Sequence, residues 1–190
     1  MDNAPSRAIR ALLFADVKGY SCFSERDCII FRAILHEQVA RDILAPHSDA
    51  ILTKGTWGDA LHVVLNCMAE AGRLALDLQN WMKRTDWGGA GLSVEPKLRV
   101  SLHAGLVTRI PNAISGGFDY VGRNTSRAAR IEPITFEGQV FASGAYAALL
   151  ALEDPPDIAI DYVGVRALPK GAGTIPVFLL SRKKQLNANP

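Results

Sequence analysis

At 190 residues and a net charge of +2, the chain carries no basic excess that would draw it to nucleic acid. A hydrophobic fraction of 48% suits a folded domain with a real core. No apolar run approaches the ~20 residues of a membrane helix, and residues 1–10 lack the apolar centre of a signal peptide. The expectation is one cytosolic (cytoplasmic) domain over residues 1–190, core 7–181, with neither nucleic acid nor membrane as a partner.

Residues 8–17 form an apolar run ending near Asp16, which reads as a buried strand with a carboxylate at its exit. Lys18-Gly19-Tyr20-Ser21 then turns into a helix capped by Ser21 or Ser24, whose apolar positions keep helical spacing until Pro46. Residues 51–57 and 61–65 read as two strands joined by a tight turn at Gly58-Asp59. A helix over 68–82 follows, with Ala71, Leu74, Ala75 and Leu78 on one face. Beyond a glycine-rich loop at 86–96, residues 98–107 alternate as a strand, and 108–117 read as a loop. A short polar helix over 122–132 stops at Pro133. Strand 139–142, helix 145–152 and strands 158–168 and 175–180 complete the chain.

This order is α+β: a ferredoxin-like βαββαβ core with a C-terminal extension. Cys22, Cys28 and Cys67 are odd in number and lack CxxC spacing, so they suggest neither a disulfide framework nor a zinc site. Among His36, His47, His62 and His103 none pairs at helical metal spacing, and His62 and His103, inside apolar strands, read as packed and hydrogen-bonded. The basic Arg182-Lys183-Lys184 reads as a solvated tail.

Four segments carry chemistry. Asp16, leading into Gly19 and a helix start, offers a hard-cation ligand beside backbone donors suited to phosphate. Asp59 sits in a Gly-Asp turn, and if the two strands are neighbours both carboxylates enter one space, where they could share two metal ions. Between Asp119 and Arg130, Ser126 and Arg130 share one helical face, and Arg130 could meet developing phosphate charge. Lys170, in a turn flanked by Gly171, can reach an anion. Each has a plainer reading: a turn cap, a hairpin turn, a solvated basic helix and an exposed lysine.

Taken in order, Leu13-Phe14-Ala15-Asp16-Val17-Lys18-Gly19-Tyr20-Ser21, Thr56-Trp57-Gly58-Asp59-Ala60, Leu98-Arg99-Val100-Ser101-Leu102-His103-Ala104-Gly105, Asp119-Tyr120-Val121-Gly122, Arg130-Ile131-Glu132 and Gly138-Gln139-Val140-Phe141-Ala142-Ser143 resemble the catalytic domain of class III nucleotidyl cyclases over residues 7–180. The resemblance implies two divalent metal ions (Mn2+ or Mg2+) held by Asp16, Asp59 and the Val17 carbonyl. It implies triphosphate binding by Tyr20, Ser21, Arg99 and Lys170, transition-state stabilisation by Arg130, and base reading by Asp119. It also implies a homodimer with two active sites across its interface, since one chain carries both residue sets.

Two positions depart from the family pattern. Ser126 replaces the asparagine four residues before Arg130, and Gly55 stands where adenylate cyclases carry a purine-reading lysine, with Lys54 beside it. In a strand Lys54 would point to the other face unless a bulge intervenes. With Trp57 adding bulk nearby, these departures, in a chain that reads as a bare catalytic domain, point to the pyrimidine cyclases of Pycsar antiphage systems, with UTP as substrate and cyclic UMP as product. An adenylate or guanylate cyclase, and a degenerate domain that binds nucleotide and dimerises without catalysis, are the alternatives.

Overall fold

The computed structural model describes residues 5–114 and 116–183; Lys184 of the basic tail lies outside them. Strand β1 (Ser6–Val17) lies at the centre of an eight-stranded sheet. On one side it pairs antiparallel with β3 (Ala60–Leu65), which pairs with β2 (Ile51–Trp57) at the sheet edge. On its other side β1 pairs antiparallel with the long strand β4 (Leu98–Asn112). This β2-β3-β1-β4 order is the expected ferredoxin-like core. Strand β6 (Val140–Ser143) then runs parallel to β4, and the hairpin of β7 (Ile158–Ala167) and β8 (Thr174–Arg182) closes the far edge.

Three helices cover one face. α1 (Glu25–Ile34) starts at Ser24, whose hydroxyl accepts from the Asp27 amide, and continues as a π-helix (Leu35–Leu44) before Pro46 ends it. α2 (Met68–Arg84) and α4 (Gly144–Glu153) lie beside it. Alternation along β1 sends Ala11, Leu13, Ala15 and Val17 into this layer, against Phe31, Leu74 and Leu78. Full burial of each large apolar side chain there contributes ~1.5–3 kcal/mol. Gly72 allows the close approach of α2 to its neighbours: a Cβ there would lie 2.8 Å from Ile158 Cδ1.

The other β1 face presents Leu12 and Phe14, with Asp16 in the same alternation. It is only partly covered, by α3 (Arg123–Ile131), through Leu12, Val64, Val107 and Ala128. One expectation fails here. Residues 108–112 and 117 are strand, not loop: β4 runs on to Asn112 and pairs with β5 (Gly117–Val121), from Thr108 opposite Val121 to Asn112 opposite Gly117. Pro111 and two glycines hide this ribbon from a propensity reading, and only cross-strand pairing forms it. The basic tail also departs from its expected role, since Arg182 is tied to Asp77 and Asp157 at 2.7 and 2.8 Å.

Candidate active site

Because β1 and β3 are neighbours, the exit of β1 and the β2–β3 turn lie side by side. Gly58 takes a left-handed φ of 63°, which turns the chain so that Asp59 faces β1. The Val17 N–H donates to Asp59 Oδ2 at 3.0 Å. Asp16 stands opposite Arg99 in the β1–β4 register, and Arg99 Nη2 donates to Asp16 Oδ2 at 3.1 Å.

Burial, with the Asp16 charge beside it, pushes the Asp59 carboxyl up to about 6. Two carboxylates in mutual repulsion at the rim of a sheet suit a hard divalent cation, which relieves that repulsion. Among the described residues no cluster of three or more His, Cys, Asp or Glu side chains could hold a metal alone. A site of two aspartates therefore needs backbone and ligand oxygens to complete it. Gly19, at φ 74°, starts a single 3-10 turn, Tyr20–Cys22. It leaves Ser21 exposed, while Tyr20 packs its ring on Phe23 and Phe31. Burial, then the neighbouring Cys28, raises the Tyr20 hydroxyl to about 12.

A further member of the site has no role in the sequence pattern. Glu132, in the 3-10 turn after α3, is buried and puts Oε1 2.7 Å from Arg99 Nε. The alignment is poor for a hydrogen bond, so the contact is an ion pair, and neither atom has a hydrogen-bond partner among the described residues. Burial pushes Glu132 up to about 7; Arg99 opposes the shift, and Asp16 and Asp59 add to it. Only its place in the Arg130-Ile131-Glu132 string singles it out.

The remaining candidates lie apart. Ser126 is exposed and Arg130 half-buried on α3, and Lys170 is exposed in the β7–β8 turn at a left-handed φ of 59°. Among the described residues no hydrogen bond or ion pair joins these three to Asp16 or Asp59. Asp119 lies on β5, where Asn112 Nδ2 donates to it at 2.9 Å, and its charge acts on His62. The β2 register shift falls between Ile51 and Thr53, after which Lys54 pairs with Val63 and Gly55 with His62. Lys54 therefore lines a pocket of about 280 Å³ with Leu35, Val39 and Leu44 on the helix side, a pocket that Gly55 borders too. Gly55 is on the Asp16 face, and a Cβ there would meet nothing within 4 Å. Trp57 is 90% exposed, so it does not fill that space.

His103 is buried and hydrogen-bonded to Ser143 (2.7 Å) and Asn124 (3.1 Å), and burial lowers its pKa. His62 stacks on Phe14 at 4.3 Å, but its Nε2 has no hydrogen-bond partner among the described residues, contrary to the expectation of a satisfied histidine.

The adenylyl cyclase CyaB from P. aeruginosa shares this architecture at a TM-score of 0.77, 16% identity, over 96% of this chain and 98% of its own. The fold is that of a class III nucleotide cyclase catalytic domain. An adenylate cyclase of Trypanosoma brucei, solved in its monomeric state, matches this cyclase fold at 0.77 and 21% identity, over 90% of this chain and 87% of its own. The guanylate cyclase domain of RhGC from Catenaria anguillulae, in complex with GTP, does so at 0.76 and 17%, over 94% and 100%. By sequence, the chain is 25% identical to the receptor-type adenylate cyclase ESAG 4 of Trypanosoma brucei brucei, across 71% of this chain. The chain spans 15% of that relative's length. No family model matches the chain.

Proposed function

We propose that the chain is a nucleotide cyclase acting as a homodimer. The observation that carries this reading is the juxtaposition of Asp16 and Asp59, beside Arg99, at the rim of a cyclase-fold sheet. Asp16, Asp59 and the Val17 carbonyl would hold two divalent cations, which supply charge neutralisation on the triphosphate and a lowered pKa at the attacking hydroxyl.

The remaining work falls to the chain itself. Arg99, with Tyr20 and Ser21 at the following turn, orients the triphosphate so that the ribose 3′ oxygen lies in line with the α-phosphorus. The new O3′–P bond forms as the bond to pyrophosphate breaks, and the hydroxyl proton leaves to solvent. Arg130 faces the charge that develops on the α-phosphate, with Ser126 as a hydrogen-bond donor beside it. Because no hydrogen bond or ion pair joins Ser126, Arg130 or Lys170 to Asp16 or Asp59 among the described residues, the reading takes them from a second copy.

For the base we infer a pyrimidine, UTP yielding cyclic UMP, as a second messenger in antiphage defence. Its support is Gly55, which leaves the Asp16 face without a purine-reading amine. Asp119, held by Asn112 near His62, supports the second reading of a purine cyclase.

The test is incubation of purified protein with ATP, GTP, CTP and UTP plus Mn2+, with products identified by mass spectrometry. Cyclic UMP, absent with Asp16→Ala, is the expected result. A cyclic purine would keep the chemistry and discard the pyrimidine reading. No product from any of the four would leave the non-catalytic nucleotide-binding alternative.

A further inference from the structure

Arg99 is held from both sides. Its Nη2 reaches Asp16 at 3.1 Å and its Nε approaches Glu132 at 2.7 Å, so one guanidinium bridges the proposed metal carboxylate and a buried acid. Glu132 is placed firmly: Ile131 before it is fully buried among Phe141, Ile175 and Val177, and Thr135 donates from its backbone to the Glu132 carbonyl at 2.9 Å. At a relative exposure of 8% it has little access to solvent.

A cation arriving at Asp16 meets Arg99 already there. The two positive groups repel across one carboxylate, which weakens the hold of Asp16 Oδ2 on Nη2. Glu132 is the other carboxylate within reach of Arg99. An arginine fork has five N–H donors, so Nε can stay with Glu132 while Nη2 turns from Asp16 toward a phosphate oxygen.

We propose that Glu132 is a positioning residue which retains Arg99 at the site when a cation displaces it from Asp16, and so presents the guanidinium to the triphosphate. This rests on the reading of Asp16 as a metal ligand and Arg99 as a phosphate group. A purely structural ion pair, closing the end of α3 on β4, would instead affect stability alone.

The test uses the full chain and two readouts besides turnover: Mn2+ binding without nucleotide by electron paramagnetic resonance, and pyrophosphate binding in Mn2+ by calorimetry. Glu132→Gln keeps the volume and removes the charge, and it is expected to weaken both by ~10-fold, the usual scale for a group that supports a metal site from behind. In an Arg99→Gln background the same substitution should change Mn2+ affinity by less than about 2-fold, because its effect passes through the missing arginine. Glu132→Asp, which keeps the charge, should lose less than Glu132→Gln and serves if the latter folds poorly.

A lowered melting temperature with unchanged Mn2+ and pyrophosphate binding would overturn the inference. So would equal losses of Mn2+ affinity with and without Arg99, or equal losses from Asp and Gln at 132. Wild-type protein that binds no Mn2+ would overturn the cyclase reading and this inference with it. Mn2+ binding that Asp16→Asn abolishes but Glu132→Gln leaves intact overturns this inference alone.

Discussion

Asp59 accepts a hydrogen bond from the backbone N–H of Val17 at 3.0 Å, and this bond joins the β2–β3 turn to the exit of β1 just beyond the end of the β1–β3 ladder. The peptide next to one proposed metal ligand thus fixes the carboxylate of the other. Neutralising either acid tests the pair. Asp59→Asn keeps an acceptor for Val17, whereas Asp59→Ala leaves that N–H unpaired, a loss of about 1 kcal/mol. Both should reduce cyclic-nucleotide formation by more than ~100-fold, as expected when cation binding is lost. Thermal denaturation should separate them, with the alanine variant melting lower.

The start of α1 is pinned to the glycine-rich loop through Asp27, which accepts from Ser24 Oγ, Ser93 N and Ser93 Oγ at 2.6, 2.9 and 2.6 Å. The Ser24 and Ser93 bonds hold its carboxyl down at about 2. A depressed acid stabilises the fold above its unfolded pKa of about 4, and the contribution vanishes as pH falls toward 2. The melting temperature of wild type should therefore drop more steeply between pH 4 and pH 2 than that of Asp27→Ala, which should melt several degrees lower at neutral pH.

Gly105 admits Asn124. A Cβ there would stand 2.3 Å from Asn124 Cγ, and Asn124 bridges His103 Nε2 at 3.1 Å and the Leu106 carbonyl at 2.9 Å. Gly105→Ala must expel that side chain, for a destabilisation of ~1–3 kcal/mol by overpacking. Chemical denaturation measures it, and turnover should fall too, because α3 carries Arg130.

Open space above Gly55 makes the proposed base pocket editable. Gly55→Lys sets its Cβ in open space and an ammonium on the Asp16 face, and the ratio of ATP to UTP turnover should rise by ~10-fold, the scale of one added charged hydrogen bond. An unchanged ratio in competition assays would mean that Gly55 does not face the base. Ser126→Asn, at an exposed position, should raise kcat with little change in KM.

If Arg130 and Lys170 serve the partner's aspartates, specific activity depends on assembly. Dilution toward the dimer dissociation constant, found by sedimentation, should lower activity per molecule. Mixing inactive Asp16→Ala with inactive Arg130→Ala chains should restore about one quarter of it, from statistical pairing in which half the dimers hold one intact site. No recovery on mixing would place both residue sets within one chain's own site.

Local signals in the chain, period-two and helical patterns and turn glycines, are enough to read every strand and helix of the sheet but β5, and short motifs mark Asp16, Asp59, Arg99 and Arg130 as candidates. The same signals offer Ser21 or Ser24 as a cap, and the α1 start takes Ser24. What they could not determine was whatever depends on register or on partners distant in the chain. The β4–β5 ribbon exists through cross-strand pairing that Pro111 and the glycines disguise. Lys54 and Gly55 take opposite faces because the β2 bulge precedes both, so the alternation of side chains is undisturbed between them. Glu132 meets Arg99 only because the turn after α3 lies against β4, a tertiary contact that no spacing in the chain encodes.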